Sequence, residues 1–241
     1  MQIGGEFMKL TIMSYNILHC EIYKQKRIDF DAFAKVITDS GADIIGLNEV
    51  RGAGERADYE AQAKILAEKT GFYYYFAKAI DVGGKNPYGN ALLSRYPIIH
   101  AQTVPVPDPL VRIGSGFETR CLLKAHIDVA DGLTVLVTHF GLNASEQKNA
   151  VRTVTAHLTD EKIVLMGDFN VTPDNPVLQP IREKCKDAAD LFTQPKLSFP
   201  SDAPEIKIDY IFATPAVNIL AADIPPTVVS DHRPHTAQIE I

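Results

Sequence analysis

The segment Ile163-Val-Leu-Met-Gly-Asp-Phe-Asn170 is the most informative stretch for the fold of this chain. Its four leading apolar residues predict a buried strand, and Gly167 marks the end of that strand. Asp168 and Asn170 follow with one residue between them, which can place two oxygen-bearing side chains on the same side. Because Gly, Asp and Asn also form ordinary turns, this segment alone fits a turn as well as a functional site.

The same arrangement of an apolar run with a polar residue at its end recurs along the whole chain. The polar residues concerned are Asn16, Glu49, His139, Asp209 and the pair Asp231-His232. Strands that direct polar side chains towards one shared edge would produce this pattern. Carboxylates and amides suit a hard divalent cation, and two histidines can move protons. The pattern therefore predicts a magnesium-dependent phosphoester hydrolase.

The spacing of apolar residues predicts an α/β fold. Helical spacing is present at Asp29–Thr38, Tyr59–Lys69, Ser145–Leu158 and Val177–Cys185. Strands are predicted at Lys9–Tyr15, Asp43–Leu47, Phe72–Ala77, Ala91–Ser94, Ile98–Val104, Cys121–Val129, Leu133–Thr138, Ile163–Met166, Ile208–Phe212 and Thr236–Ile241. Strand–helix–strand units combined with a hairpin at Ala130-Asp-Gly132 predict two mixed sheets packed face to face, with helices outside.

Length and composition predict one globular domain over residues 8–241 of the 241. Residues 1–7 precede a second methionine, Met8, and are interpreted as a cloning scar or an alternative start. No run approaches the roughly 20 apolar residues of a membrane span. A net charge of −6 disfavours a protein that grips nucleic acid through a basic face, although a local basic patch stays open. Three cysteines without zinc spacing predict reduced thiols and a cytoplasmic protein.

Several single residues allow two interpretations. Asp209 lies in an apolar run where an unpaired carboxylate is unfavourable, so His232 is its predicted partner. Glu49 ends an apolar run and needs a counter-charge, which a divalent cation would supply. Glu118 and Arg120 form either an exposed ion pair or a contact with phosphate. His139 is either a core histidine or a catalytic one, and Asn16 and Asn48 are either turn residues or ligands.

The ordered set of motifs resembles the endonuclease/exonuclease/phosphatase superfamily, from about Lys9 to Ile241. The matching positions are Tyr15-Asn16, Asn48-Glu49 where the family commonly has Gln-Glu, Asn90 before Ala91-Leu-Leu-Ser-Arg-Tyr-Pro-Ile98, His139, Asp168 and Asn170, Asp209-Tyr-Ile-Phe212 and Asp231-His232. The resemblance implies a four-layer α/β sandwich of the deoxyribonuclease I type, and a Mg²⁺ cofactor for which Mn²⁺ can substitute.

The resemblance also implies roles for these residues. Glu49 would be the main metal ligand, with Asn16 and Asp231 close by. Asp168 and Asn170 would bind a second metal, or hold the scissile phosphate and the attacking water. His232, oriented by Asp209, would act as base or as phosphate ligand, and His139 would stabilise the transition state or protonate the leaving oxygen. The implied substrate contacts are Asn90, Glu118, Arg120 and Asn143.

The substrate class is less sharply indicated. The segment Glu205-Ile-Lys-Ile-Asp-Tyr210 differs from those of inositol 5-phosphatases and abasic-site endonucleases, and the chain has no Trp. A small or lipid-derived phosphoester is therefore the favoured substrate, with a nuclease acting on DNA or RNA as the runner-up. A non-catalytic binding protein on the same fold and a pure nucleic-acid-binding module stay open as functions of a different class. The oligomeric state is also open.

Overall fold

The computed structural model describes residues 7–112 and 115–241, so the expectation for residues 1–7 lies almost entirely outside the described residues. The strands are β1 (Lys9–Asn16), β2 (Glu21–Ile22), β3 (Arg27–Ile28), β4 (Ile44–Arg51), β5 (Tyr73–Asp81), β6 (Pro87–Ser94), β7 (Ile98–Pro105), β8 (Cys121–Ile127), β9 (Leu133–His139), β10 (Ile163–Asp168), β11 (Lys186–Asp187), β12 (Asp209–Ala213), β13 (Asn218–Asp223) and β14 (His235–Glu240). The helices are α1 (Phe30–Asp39), α2 (Gln62–Thr70), α3 (Ala144–Ala156) and α4 (Gln179–Arg182).

Two six-stranded sheets form the centre of the molecule. The first has the order β13-β14-β1-β4-β6-β5, and the second has the order β11-β12-β10-β9-β8-β7. Both sheets are mixed, because β1 runs parallel to β4 and β9 runs parallel to β10 while their other neighbours are antiparallel. The predicted fold class, two mixed sheets with helices outside, is confirmed.

Three apolar layers hold the sheets and helices together. The layer between the two sheets contains Ile12, Val137 and Met166. A second layer, with Met13 and Phe33, lies between the first sheet and α1 and α2. A third layer, made by residues of β8–β10, β12, α3 and α4, covers the outer face of the second sheet. Because successive strand residues point to opposite faces, each central strand contributes to the inner layer and to one outer layer.

Local signals explain where α1 begins and where α2 ends. The carboxylate of Asp29 accepts a hydrogen bond from the Ala32 N–H at 3.0 Å and caps α1. Gly71, with φ of 73°, ends α2 as predicted. The predicted start of α2 at Tyr59 is wrong by three residues. The predicted helix Val177–Cys185 is in fact a short 3₁₀ turn followed by the single turn α4.

The inner layer changes from apolar to polar at one end of the sandwich, and this change creates the site. In β1 the inward positions Leu10 and Ile12 are followed by Ser14 and Asn16. The inward positions at the same end of other strands are Asn48, Asn90, His139, Asp168, Asp209 and His235. All of these residues are buried. Alternation along the strands therefore gathers the polar side chains between the two sheets.

Gly167 shows how tightly the polar end is built. Its φ is 145°, and an added Cβ would lie 1.8 Å from the Thr138 carbonyl oxygen of β9. No side chain fits there, so the glycine of the Gly-Asp-Phe-Asn segment is required by the backbone. Among the residues that the structure describes, no helix is both long enough and apolar enough to cross a membrane.

Candidate active site

Asn16 links the two sheets at the polar end. Its Nδ2 group donates to Glu49 Oε1 at 3.1 Å and to Asp168 Oδ2 at 3.2 Å. Glu49 lies at a bulge between β4 and β6 and has φ of 58°. The bulge interrupts the strand alternation there, which lets Asn48 and Glu49 both serve the site. Asn16, Glu49 and Asp168 are therefore brought together, as the sequence predicts.

Asn48 is a second link between the sheets. Its Oδ1 accepts the Asp168 N–H at 2.9 Å, and its Nδ2 donates to the Thr138 carbonyl at 2.9 Å. Nδ2 also donates to Asn90 Oδ1 at 2.9 Å. Asn48 is therefore not a turn residue. Asn90, predicted as a substrate contact, is buried in β6, where it supports Asn48 and donates to the Cys121 carbonyl at 3.0 Å.

His232 and Asp209 form the predicted pair. His232 Nδ1 lies 2.9 Å from Asp209 Oδ2, and both side chains are almost fully buried. Burial lowers the pKa of His232, but the carboxylates of Asp209 and Asp168 outweigh burial and raise it to about 10. Asp209 thus fixes the orientation of the ring and holds His232 in its protonated form.

Asp168 lies between two histidines. Its Oδ2 is 3.5 Å from His139 Nε2 and 3.6 Å from His232 Nε2. Its Oδ1 accepts the Asn170 backbone N–H at 2.9 Å. Burial, with help from the negative charge of Asp209, raises the pKa of Asp168 to about 7 in spite of the opposing effect of His232. Burial therefore makes the Asp168 carboxylate a better proton acceptor than an exposed carboxylate.

His139 is in the opposite state from His232. Arg120 Nη1 lies 2.9 Å from His139 Nδ1, and since a guanidinium can only donate, Nδ1 accepts and Nε2 carries the proton. Burial and the Arg120 charge hold the pKa of His139 well below its ordinary value. Arg120 also contacts Glu118 at 2.6 Å. The ion pair is therefore present, with Arg120 12% and Glu118 35% exposed, and the predicted contact of these residues with phosphate stays a prediction.

The loop that carries Asp231 and His232 is tied to β1. The Ser230 N–H donates to Tyr15 Oη at 3.1 Å, and Ser201 Oγ donates to the Ser230 carbonyl at 2.6 Å. Burial, together with the charge of Glu49, raises the pKa of Asp231. Tyr15 of the Tyr-Asn motif therefore helps to position Asp231, the residue after Ser230. The sequence alone does not reveal this contact.

Comparison with known proteins agrees with this arrangement. A family model described as the Endonuclease/Exonuclease/phosphatase family matches residues 13–232. The chain belongs to the endonuclease/exonuclease/phosphatase family.

Proteins of similar length align with most of this chain in sequence or in structure. The Escherichia coli K12 protein YbhP is 24% identical over an alignment 258 residues long. The alignment spans 95% of this chain and 97% of YbhP. A solved family protein from Bacteroides thetaiotaomicron has a TM-score of 0.78 at 16% identity, covering 98% of this chain and 96% of its own. The mannosyl-6-phosphatase Bt3783 of Bacteroides thetaiotaomicron VPI-5482 has a TM-score of 0.77 at 16% identity, covering 95% and 99%. At these identities the solved structures show the shared fold alone.

The donor set fits the divalent metal that the endonuclease/exonuclease/phosphatase family uses. Asn16 Nδ2 contacts both Glu49 and Asp168, and the charge of Glu49 acts on Asp231, so three carboxylates and one amide share this region of the site. Oxygen donors of this kind suit Mg²⁺ or Mn²⁺. Among the described residues, Asp168, Asp209 and His232 form the one group whose ligand atoms already lie within 4.8 Å of one another. That second grouping is a poorer candidate, because His232 is protonated and its Nδ1 is engaged by Asp209.

Two further family-motif residues take local roles. Asn170, with φ of 50°, donates from Nδ2 to the Phe140 carbonyl at 3.0 Å and stays beside Asp168. Asn143 precedes α3, where its N–H donates to Glu146 Oε2 at 3.2 Å and its Nδ2 donates to the same oxygen at 2.8 Å. The structure thus gives Asn143 a helix-end role, and its predicted contact with substrate stays a prediction.

Proposed function

We propose that this protein is a divalent-metal-dependent phosphoester hydrolase that directs water at a phosphate. The observation that carries the proposal is Asp168, whose Oδ2 lies within 3.6 Å of two imidazoles in opposite protonation states. A buried carboxylate whose pKa is raised, one cationic donor and one neutral donor in a single region match the needs of phosphoryl transfer to water.

Glu49, Asn16 and Asp231 would hold the cation in this proposal. A bound cation would neutralise charge on the phosphoryl oxygens and help to hold the phosphate in place. Asn16 already contacts Glu49 at 3.1 Å and Asp168 at 3.2 Å, so it ties the proposed metal ligands to the proposed base.

Asp168 is the proposed general base. A base works best when its pKa is close to the working pH, and burial raises that of Asp168 to about 7. His232, with its pKa raised to about 10, stays protonated at neutral pH. Of the two roles left open for His232, base or phosphate ligand, its charge favours the second. Asn170 supports Asp168 by donating its N–H to Oδ1 at 2.9 Å.

His139 is the proposed neutral donor. Its Nε2 lies 3.5 Å from Asp168 Oδ2, so its proton is available to an oxygen of a phosphate bound beside Asp168. Because its pKa is held well below the ordinary value, stabilising the transition state by a hydrogen bond suits it better than donating a proton to the leaving oxygen.

The proposed substrate is a small or lipid-derived phosphoester. A net charge of −6 supports a compact substrate over a long polyanion. One relative of the same fold carries the name mannosyl-6-phosphatase, which supports trying sugar phosphates first. The three cysteines Cys20, Cys121 and Cys185 are free and buried, which fits the reducing cytoplasm.

A substrate panel tests the proposal. Purified protein with Mg²⁺, with Mn²⁺ and with EDTA is incubated with p-nitrophenyl phosphate, bis-p-nitrophenyl phosphate, hexose and glycerol phosphates, sphingomyelin, DNA and RNA. We expect metal-dependent cleavage of a small phosphoester that EDTA abolishes. Cleavage confined to DNA or RNA would support a nuclease instead, and metal binding without any turnover would support a binding protein.

Substitution of the two central groups sharpens this test. His232→Ala and Asp168→Ala should each lower kcat by about 10²–10⁴-fold, because each removes a group in contact with the phosphate or the water. His126→Ala is the matched control: His126 lies in β8, where its Nδ1 contacts Thr134 at 2.9 Å, away from the site. Wild-type turnover in a folded, metal-loaded His232→Ala protein would end the assignment.

A further inference from the structure

Three consecutive residues after β1 have left-handed backbone conformations. Leu18, His19 and Cys20 have φ of 42°, 42° and 60°, and none of them is glycine. This region is unfavourable for residues with a side chain, because Cβ approaches the following carbonyl oxygen. Residues held in such conformations cluster at functional sites, where the surrounding structure maintains them.

Specific hydrogen bonds maintain this turn. The Leu18 N–H donates to Asn16 Oδ1 at 3.1 Å, and the amide of Gln62 donates to the His19 carbonyl at 2.7 Å. The other end of the Gln62 amide accepts the Arg51 N–H at 2.9 Å. Gln62 is only 1% exposed. The turn is therefore fixed to Asn16 and to β4, the strand that carries Glu49.

The turn presents the His19 ring to the site. His19 Nδ1 lies 3.9 Å from Glu49 Oε2, and Nε2 lies 3.8 Å from Glu21 Oε2. Both distances exceed hydrogen-bond length, so within the described part of the chain each ring nitrogen faces a carboxylate without a hydrogen bond to it. The side chain is 18% exposed and thus reachable from solvent.

Glu49 separates His19 from the reacting centre. Glu49 uses Oε1 for Asn16, which in turn contacts Asp168, and it faces His19 with Oε2. We propose that His19 binds an oxygen of the organic part of the phosphoester, such as a hydroxyl near the phosphate. This inference rests on the proposed function and narrows the substrate to a hydroxyl-bearing phosphoester.

A purely structural turn would not need this residue. Glycine adopts left-handed φ without strain, so a turn that only reversed the chain would be satisfied by glycine at position 19. An imidazole stands at this position in spite of the strain, and it has no hydrogen-bond partner in the described structure. Both features are expected of a side chain whose partner is a ligand.

His19→Gly tests the proposal, with Ala130→Gly as the matched control. Ala130 has φ of 48° in the hairpin between β8 and β9, so both substitutions relieve the same kind of strain. Neither variant should have a lower Tm than wild type. For hexose and glycerol phosphates, His19→Gly should raise KM by about tenfold, the loss expected for one hydrogen bond, with little change in kcat. Ala130→Gly should leave KM unchanged.

Two further measurements separate binding from other effects. The KM of His19→Gly for p-nitrophenyl phosphate should equal that of wild type, because this substrate has no hydroxyl beside its phosphate. Affinity for Mn²⁺, measured by calorimetry, should also be unchanged, since His19 is not a proposed metal ligand. His19→Asn tolerates left-handed φ and can still form hydrogen bonds, so it should recover part of the lost affinity.

The outcomes distinguish the two proposals. An active wild-type protein whose KM for hydroxyl-bearing substrates is the same in His19→Gly overturns the role of His19 and leaves the proposed function intact. An equal rise in KM for p-nitrophenyl phosphate overturns the specificity of the contact. A wild-type protein that cleaves no phosphoester overturns the proposed function, and the role of His19 with it.

Discussion

His139 and His232 lie at nearly equal distances from Asp168 Oδ2. They differ in charge because the groups that contact their Nδ1 atoms differ. His139 Nδ1 faces the guanidinium of Arg120, and His232 Nδ1 faces the carboxylate of Asp209. The first contact lowers the pKa of the ring and the second raises it. In the proposed function, Arg120 and Asp209 therefore decide which histidine is the neutral donor and which is the cationic donor.

Replacing these partners by neutral amides should shift the pKa values of the two histidines in opposite directions. In Asp209→Asn the pKa of His232 should fall from about 10, because the neutral amide no longer favours the imidazolium while burial still opposes it. In Arg120→Gln the pKa of His139 should rise. NMR titration of the ring protons measures both, and kcat should fall at least about tenfold in each variant. An unchanged pKa of His232 in Asp209→Asn would contradict this account.

At the residue scale the sequence predicts one of these pairs and not the other. A carboxylate inside the apolar run Ile206–Phe212 needs a partner, which makes His232 a sound prediction for Asp209. The Arg120–His139 contact depends on β8 lying beside β9 in one register, with Leu122 opposite Thr138. Nothing in the local sequence around Arg120 indicates that register.

At the element scale the start of α3 offers a direct test of a sequence prediction. Glu146 Oε2 accepts from Asn143, and Glu146 Oε1 accepts the Glu118 N–H at 3.0 Å, so this helix end also supports the segment leading to Arg120. Asn143→Ser preserves a favoured helix-end residue and should keep wild-type KM and stability. Asn143→Ala should lose about 1 kcal/mol of unfolding free energy in a denaturant titration. A raised KM in the stable Asn143→Ser protein would instead support the predicted substrate contact.

The sequence predicts strands well where one or both faces are apolar, and poorly where they are exposed. β10 and β12 are buried throughout, and their apolar runs are evident in the sequence. The sequence does not predict β13, because four of its six residues are exposed and the strand is defined by its pairing with β14. It does not predict the left-handed turn at Leu18–Cys20 either, because no composition rule indicates that conformation for non-glycine residues.

At the scale of the whole molecule, one change of pattern connects fold and site. The inner strands are apolar until they approach the same end of the sandwich, and there the inward positions become polar. The layer between the sheets thus supplies stability along most of its length and chemistry at one end. The buried carboxylates and histidines at that end make stability depend on their protonation.

Metal-free protein should lose stability as pH rises from about 6.5 to about 8. The pKa of His232 is about 10 in the folded state and 6.5 ordinarily, so its contribution is complete below pH 6.5 and declines as pH rises towards 10. Asp168, with its pKa raised to about 7, acts in the same direction up to that pH. His139 and His235, whose pKa values burial lowers well below 6.5, oppose this trend mainly below about pH 6.5. Lys207, whose pKa burial lowers to about 8, opposes it above that pH, so these groups set the two limits of the window.

Denaturant titrations in EDTA at pH values of about 6.5 and about 8 measure this dependence. We expect the unfolding free energy to fall by about 1–2 kcal/mol, since one group that gains a proton on folding changes it by at most about 1.4 kcal/mol per pH unit. His232→Gln should flatten the slope, because the group responsible is gone. Added Mg²⁺ should stabilise the protein more at the higher pH, because protons compete with the cation for the carboxylates. An unfolding free energy that rises with pH in EDTA would mean that His232 is neutral in the folded protein. That result would contradict its proposed role as a cationic phosphate ligand.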